Sequence, residues 1–211
     1  MKLAVIGATG RTGRLVVDLA LAAGHTVTAV ARTPARLPKF THGTPLTAQA
    51  DVHRHGALHE PLAGHDAVVS TLGTTGRAAT TVFSDGAREL VSAAEAGGVR
   101  HLVMMSSAGL ESGHLPFPQR LVTRLVVDRL YREIHRDLAR MEAVLADSDT
   151  NWTVIRAPML KDGPPAANPS IAYDHPLPSA GTATRATIAA WIVEHLGAPE
   201  AFRHRVAIAD G

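Results

Sequence analysis

The chain has 211 residues, 45% of them hydrophobic, which predicts one globular domain over 1–211 with a full apolar core. Cysteine is absent, which excludes disulfides, thiolate chemistry and cysteine-ligated metals. The formal net charge is only +2 and the arginines are spread along the chain, so no basic block indicates binding to nucleic acid.

The chain also lacks segments that would direct it to a membrane. It contains no run of about 18 apolar residues, so we expect no transmembrane helix. It passes directly into a predicted strand and a glycine turn, which leaves no room for a signal peptide. We therefore expect a cytoplasmic protein without a membrane partner.

The first predicted elements are a strand, a glycine turn and a helix, all within residues 2–23. The turn has the sequence G-A-T-G-R-T-G over 7–13. Gly7 can take the positive φ of a tight turn, Gly10 lets backbone amides approach a pyrophosphate, and Gly13 lets the helix pack against the strand. The helix N-terminus then directs unpaired N–H groups at phosphate. The motif predicts a dinucleotide site; the alternative is a glycine-rich turn without a ligand.

A second strand, over 26–31, completes a β-α-β unit, and the residues after it distinguish NADP from NAD. NAD enzymes usually place an acidic residue here to bind the ribose hydroxyls, but this chain has Arg32, with Arg36 one turn further on. A 2′-phosphate needs a cation at this point, and the arginine fork matches it. We therefore predict NADP(H) as the cofactor; the alternative is that Arg32 is a solvated loop residue.

The third predicted strand, over 46–50, is followed by Asp51 and Val52. Because ligands of doubly wound sheets lie beyond the carboxyl ends of the strands, this pair is a candidate contact to the adenine end of the cofactor. The alternative for Asp51 is a helix N-cap.

Three histidines follow closely, but they do not complete a metal site. No carboxylate or cysteine joins them at a spacing known from metal proteins, so we predict no bound metal and interpret them as solvated imidazoles. They are His53, His55 and His59.

The fourth and fifth predicted strands, over 66–71 and 99–105, are separated by a long helix over 80–96. Their apolar runs are typical of strands buried on both faces of a parallel sheet. The residues after the two strands are expected to flank the cofactor. They are Leu72, Gly73, Thr74 and Ser106.

The second half of the chain continues the alternation of helices and strands, with one proline-rich interruption. We predict that residues 158–183 are irregular and lie over the substrate side, with 171–173 as a possible short strand. The regular elements predicted around this segment are a helix over 116–146, a strand over 152–156, a helix over 184–196 and a strand over 203–209. This order predicts an α/β fold, a Rossmann-type doubly wound parallel sheet with helices on both faces and a small C-terminal substrate region.

Seven segments together resemble the atypical short-chain dehydrogenase/reductase superfamily, in its NAD(P)H-binding, NmrA-like branch, and within it the biliverdin-IXβ (flavin) reductases. The resemblance covers essentially the whole chain. The segments are G-A-T-G-R-T-G at 7–13, A-R-T-P-A-R-L at 31–37, A-D-V at 50–52, D-A-V-V-S-T-L-G-T at 66–74, G-A-R-E-L-V-S-A-A-E-A-G-G-V-R-H-L-V at 86–103, S-S-A-G at 106–109 and N-W-T-V-I-R-A-P at 151–158.

The resemblance implies an NADPH-binding Rossmann fold and a set of residues that contact the cofactor. It also matches Ser107 to the active-site serine of the family, at the end of the fifth strand. From sequence alone Ser106 is an equal candidate, and either serine could simply cap the turn that follows. The implied cofactor contacts are Gly7, Thr9, Gly10, Arg11, Thr12, Arg32, Asp51, Leu72 and Gly73.

The chain departs from the superfamily at the catalytic pair. Catalytic members carry Tyr-x-x-x-Lys on the helix after the fifth strand, where the ammonium lowers the pKa of the phenol for proton exchange. This chain has Tyr131 followed by His135 in place of the lysine, and an alignment from the sixth strand instead puts Ile134 and Leu138 at the two positions. Tyr131 is therefore a weak catalytic candidate, and its alternative is an amphipathic helix residue with a solvated hydroxyl.

Three functions fit these residues. The first is an NADPH-dependent reductase of a small conjugated acceptor such as a flavin, a quinone or a tetrapyrrole, with solvent able to supply the proton. The second is a non-catalytic NADP(H)-binding redox sensor or assembly factor, which the missing lysine favours and the short chain disfavours. The third is a nucleotide-sugar epimerase or dehydratase, which the missing pair and the small substrate region disfavour.

Overall fold

The computed structural model describes residues 1–74, 76, 78–111, 128–178 and 181–211. Their strands are β1 (Lys2–Ile6), β2 (Thr26–Ala31), β3 (Leu46–Gln49), β4 (Ala67–Ser70), β5 (His101–Ser107), β6 (Trp152–Ala157), β7 (Met159–Lys161), β8 (Ser170–Tyr173), β9 (Thr182–Thr184) and β10 (His204–Ala209). Their α-helices are α1 (Arg11–Ala22), α2 (His59–Leu62), α3 (Val82–Gly97), α4 (Asp128–Ala146) and α5 (Arg185–Glu194).

The main sheet of this described part has the order β3-β2-β1-β4-β5-β6-β10-β8. All neighbouring strands are parallel except β8, which runs antiparallel to β10 at one edge. The order reverses direction between β1 and β4, which is the switch point at which such sheets form a ligand crevice. The observed architecture is the predicted Rossmann-type α/β fold.

Two apolar layers cover the sheet, one on each face. Alternate residues of β1 belong to different layers, because successive side chains of a strand point to opposite faces: Leu3 and Val5 pack with α1 and α5, whereas Ala4 and Ile6 pack with α3 and α4. This double burial explains why the central strands are continuous apolar runs rather than alternating ones.

The N-terminus of α3 is stabilised by a carboxylate from a neighbouring helix. Asp137 of α4 is fully buried and accepts hydrogen bonds from the backbone N–H groups of Phe83 (2.9 Å) and Ser84 (3.4 Å). Its second oxygen accepts the Ser84 hydroxyl at 2.5 Å. A negative charge at this helix end meets both the unpaired N–H groups and the positive end of the helix dipole.

Most predicted elements are present, with boundaries shifted by one or two residues. Residues 116–127 of the predicted long helix lie outside the described residues. The four-residue α2 is not predicted, because one helical turn has too few positions to show a periodicity. None of the described helices is both long and apolar enough to cross a membrane.

The segment 158–183 is more regular than its prolines indicate. It contains β7 and most of β9, which pair parallel as a separate two-stranded sheet, and the edge strand β8. Strands this short are compatible with proline at their ends, since a proline there removes no ladder hydrogen bond.

Candidate functional site

The parallel strands bring the predicted site residues to one edge of the sheet. In the register of the sheet Ile6 pairs with both Val30 and Ser70, and Ser70 pairs with Met104. The carboxyl ends of β1, β2, β4 and β5 are therefore neighbours, and so are the loops that leave them. The predicted glycine turn, the arginine pair and the 72–74 loop follow strands at this edge, and the two serines end β5 there.

The glycine turn is built so tightly that side chains would not fit at two of its three glycines. Gly7 has φ +79°, and a Cβ there would lie 2.9 Å from the carbonyl oxygen of Thr71. A Cβ on Gly13 would lie 2.4 Å from the carbonyl oxygen of Gly7. Gly10 is different, because it is exposed and its Cβ would meet only the Gly7 carbonyl oxygen, at 3.1 Å. Two glycines thus close the turn, while Gly10 leaves open the side from which a ligand would approach.

The first turn of α1 presents unpaired backbone donors. Its N-cap is Gly10, which has no side chain to accept a hydrogen bond, and no acidic residue lies in the first turn. The N–H groups of Arg11, Thr12 and Gly13 are the orphan donors of a helix N-terminus, where the helix dipole also favours an anion. This cradle fits the pyrophosphate of a dinucleotide.

A further residue of the turn is Thr71, which no sequence motif predicted. Its hydroxyl donates to the carbonyl oxygen of Ile6 at 3.0 Å and lies where a Cβ on Gly13 would come within 2.6 Å. Thr71 thereby connects the end of β4 to the end of β1. A threonine directly after the fourth strand is the only sequence signal for this role.

Arg32 lies exposed directly after β2, and Arg36 is the exposed last residue of the 3₁₀ turn Pro34–Arg36. Within the described part of the chain neither guanidinium pairs with a carboxylate, whereas Arg11 is paired with Asp162. The carbonyl oxygen of Arg32 accepts a hydrogen bond from Gln49 Nε2 at 3.1 Å, which holds the loop against β3. The arrangement presents two cations with free donor groups.

Asp51 and Val52 follow β3 and differ in environment. Asp51 is half-buried, and its side chain accepts the N–H of His53 at 3.1 Å, so it closes a local turn rather than capping a helix. Val52 is buried beside Gly86 of α3, where a Cβ would come within 2.7 Å of Leu72. Gly86 therefore lets the apolar pair approach the helix, and this packing positions the loop that continues into Gly73 and Thr74, which are exposed.

The two serines at the end of β5 point in different directions. Ser106 is buried and donates its hydroxyl to Glu142 Oε1 at 2.7 Å. Ser107 is half-buried, accepts the N–H of Gly109 at 3.1 Å and lies 3.4 Å from His135 Nε2. Alternation along the strand separates the two roles, so only the Ser107 hydroxyl faces the loop side.

Beneath these serines Glu142 joins α4 to three strands. Besides Ser106 it binds Arg156 of β6, with Nη2 to Oε2 at 2.7 Å, and Arg205 of β10, with Nε to Oε2 at 2.9 Å. Burial acts to raise the pKa of Glu142, but the hydrogen bonds from Arg156 and Ser106 outweigh it and the pKa is lowered. Burial likewise opposes the charge of Arg156, yet its bonds to Glu142 and Glu111 raise its pKa. The cluster is a buried ion-pair network that supports the end of β5.

Tyr131 and His135 lie one turn apart on α4, with ring centroids 6.3 Å apart and planes inclined by 27°. Of the two, His135 is the side chain that contacts Ser107. The predicted catalytic tyrosine is thus one turn removed from the residue that faces the serine.

The three clustered histidines contact separate partners on α3. His53 lies 3.2 Å from Asp85, His55 lies 3.5 Å from Glu89, and His59 lies 3.2 Å from the Ser92 hydroxyl. No group of three or more metal-ligating side chains occurs among the described residues.

A cleft of about 410 Å³ opens between the start of α1 and the start of α5. Asp162, which follows β7, bridges Arg11 of α1 and Arg185 of α5 across it. The hydrogen bond from Arg11 lowers the pKa of Asp162. This ion-pair bridge connects the segment after β6 to the helix that begins at the glycine turn. The cleft is lined by Arg11, Arg14, Leu15, Asp18, Pro38, Lys39, Phe40, Thr41, Asp162, Gly163, Arg185 and Ala186.

A model of the NAD(P)H-binding family matches residues 7–199. The chain therefore belongs to the NAD(P)H-binding family.

Solved structures share the fold along the whole chain. One is a short-chain dehydrogenase/reductase from Veillonella parvula DSM 2008 in complex with NADP, with 18% identity and a TM-score of 0.79 over 99% of this chain and 94% of the other. Another is an anaerobilin reductase from Escherichia coli O157:H7, with 18% identity and a TM-score of 0.78 over 100% and 97%. A third is a candidate NADH-flavin reductase from Streptococcus pneumoniae TIGR4, with 21% identity and a TM-score of 0.79 over 100% of both chains.

Proposed function

We propose that the protein is an NADPH-dependent oxidoreductase that reduces a small conjugated acceptor such as a flavin, a quinone or a tetrapyrrole-like molecule. The observation that carries the choice of NADPH is the exposed pair Arg32 and Arg36 directly after β2, without carboxylate partners among the described residues. A 2′-phosphate is the group of the cofactor that would complete this pair.

In this proposal, different residues at the carboxyl edge of the sheet bind different parts of the cofactor. The N–H groups at the start of α1 and the open side of Gly10 hold the pyrophosphate, and the arginine pair holds the 2′-phosphate. The remaining contacts flank the adenine and the nicotinamide halves. The full proposed set is Gly7, Thr9, Gly10, Arg11, Thr12, Gly13, Arg32, Arg36, Asp51, Val52, Leu72, Gly73 and Thr74.

The reduced nicotinamide supplies a hydride when it is bound. The protein must then hold a flat acceptor against it, and we propose that the Ser107 hydroxyl at the end of β5 hydrogen-bonds that acceptor. We assign this role to Ser107 rather than Ser106, because the Ser106 hydroxyl is committed to Glu142. The names of two structural relatives, an anaerobilin reductase and a candidate NADH-flavin reductase, favour acceptors of the tetrapyrrole and flavin classes.

Fluorescence titration with NADPH and NADH tests the cofactor. We expect tighter binding of NADPH, and a roughly 10- to 100-fold higher Kd for NADPH in Arg32→Ala, since a hydrogen bond to a charged group contributes about 1.5–3 kcal/mol. The Kd for NADH should not change. Arg88→Ala is the control, because that arginine is paired with Asp85 on α3. Equal losses for both cofactors would contradict the assignment.

Turnover tests the reaction. The purified protein is mixed with NADPH and, separately, with FMN, a soluble quinone and biliverdin, and loss of the absorbance of reduced nicotinamide is followed. We expect oxidation of NADPH with at least one acceptor. Tight binding of NADPH with no oxidation by any acceptor class would instead support the alternative function, a non-catalytic redox sensor. Such a sensor does not need a Tyr-x-x-x-Lys pair.

A further inference from the structure

His135 of α4 lies directly beside the serine at the end of β5. Its Nε2 is 3.4 Å from Ser107 Oγ, a distance at the long end for a hydrogen bond, as is common in catalytic groups before substrate binds. A Cβ on Gly109 would come within 2.9 Å of the imidazole Cε1. The glycine therefore leaves the space through which the imidazole reaches the serine.

The Ser107 hydroxyl has a defined set of partners. Its oxygen accepts the N–H of Gly109 at 3.1 Å, and a protonated imidazole would donate to its other lone pair. With both lone pairs used, the one hydroxyl hydrogen can be donated only to a third group. Because Ser107 is half-buried at the ligand edge of the sheet, that group can be an acceptor molecule.

We propose that His135 and Ser107 form a proton relay that protonates the acceptor during its reduction, an inference that rests on the proposed reductase function. The acceptor takes a hydride from the reduced dinucleotide, which is thereby oxidised, at one end of its conjugated system. The electron pair displaced to the other end takes the proton of the Ser107 O–H bond. Ser107 regains a proton from His135 Nε2, and solvent reprotonates the half-buried imidazole.

The charged groups on neighbouring elements do not replace the imidazole in this role. Glu111, which follows the 3₁₀ turn after β5, is paired with Arg156 at 2.5 Å, and Arg156 is also bound to Glu142. On α4 itself Glu133 is paired with Arg136 at 2.6 Å, and the Tyr131 ring is stacked on the imidazole. In the described surroundings both acidic groups are held as ion pairs, whereas the imidazole of His135 is the titratable side chain within 3.4 Å of the Ser107 hydroxyl.

The relay is tested by the pH dependence of kcat in wild type, His135→Gln, Ser107→Ala and the double variant, with an acceptor that the wild type reduces. The wild-type kcat should fall as the pH rises through the range in which histidines titrate, about pH 5 to 8. In H135Q we expect kcat to drop about 100-fold at the acidic end, the scale of general acid catalysis, and the pH dependence to disappear. The double variant should be no slower than the slower single variant, since both remove the same relay.

Control variants distinguish loss of the relay from a general loss of structure and from failure of the proposed reductase function. His55→Gln changes a histidine on the surface, with 94% of its side chain exposed, and should keep the wild-type profile. The Kd for NADPH should be unchanged in H135Q and S107A, which shows that the cofactor site is intact, and Ser107→Thr should restore much of the activity lost in S107A. If the wild type turns over and H135Q keeps the same pH dependence of kcat, the relay alone would be overturned. Absence of any turnover in the wild type would overturn the reductase and the relay together.

Discussion

His101, at the start of β5, is a buried histidine whose hydrogen bonds define its protonation state. The N–H of Gly197 donates to its Nδ1 at 3.0 Å, so that nitrogen carries no proton. Its Nε2 lies 2.8 Å from the hydroxyl oxygen of Thr153, and that hydroxyl donates to the Ala201 carbonyl oxygen at 2.5 Å. Nε2 is therefore the donor, and burial lowers the pKa of His101 to about 4.

The low pKa of His101 predicts that the folded protein loses stability in mild acid. Between pH 6.5 and about 4 the unfolded chain takes up a proton at His101 that the folded protein does not bind, so the free energy of unfolding falls as the pH falls. The loss amounts to about 3 kcal/mol at pH 4. Urea unfolding at pH 7, 6, 5 and 4 should show a steeper decline for wild type than for His101→Gln. Parallel declines in the two proteins would contradict the prediction.

The unit β1–turn–α1 is the element to which we assign pyrophosphate binding, and its glycines differ in their surroundings. Gly13 is buried against the Gly7 carbonyl oxygen, so it belongs to the packing of the turn itself. Gly10 is exposed with φ −75° and ψ 163°, a conformation that any residue adopts. The packing of the turn therefore requires glycine at position 13, whereas at position 10 we assign the requirement to the proposed cofactor.

Substituting alanine at each glycine should separate these requirements. Gly13→Ala should lower the free energy of unfolding by about 1–3 kcal/mol, because its Cβ would overlap backbone atoms. Gly10→Ala should cost less than about 1 kcal/mol of stability but raise the Kd for NADPH by about 10-fold or more, because the added methyl group would face the proposed pyrophosphate site. Urea unfolding and NADPH titration of both variants measure the two effects. A G10A protein that binds NADPH like wild type would show that the cofactor does not approach this glycine.

Across the whole molecule, Glu142 connects the helical layer to the half of the sheet that carries Ser107. It is 5% exposed and binds side chains from β5, β6 and β10. Arg205 in turn lies over the ring of Trp152, 5.4 Å from its centroid. Removing one partner of such a buried cluster leaves the others without compensation in a medium of low dielectric constant.

Glu142→Gln should therefore lower the free energy of unfolding by about 3 kcal/mol, within the range measured for broken buried ion pairs. The matched control is Glu133→Gln on the same helix, whose partner Arg136 is 58% exposed and whose loss should cost less than about 1 kcal/mol. Urea unfolding at neutral pH gives both values. If E142Q were as stable as E133Q, the buried cluster would not hold the layers together.

Prediction from sequence succeeded where the information is local. The glycine turn and the β-α-β unit are each contained in about 30 consecutive residues, and the apolar runs of the central strands reveal burial on both faces. The shortest elements were not predicted: α2, β7 and β9 have three or four residues each, too few to show a period. The strands β7 and β9 also form only by pairing with each other, Met159 with Thr182, which no local pattern indicates.

The predictions for the site also separate into those that depend on local sequence and those that depend on long-range packing. The sequence by itself determined the fold class, the dinucleotide turn and the family, because strand, turn and helix signals there depend on neighbouring residues. Only the tertiary structure decided that Ser106 is committed to Glu142, 36 residues away, and that His135, 28 residues from Ser107, is the side chain facing it. Those contacts arise from how α4 packs on β5, and helix packing is set by the shape of whole side-chain layers rather than by any local pattern.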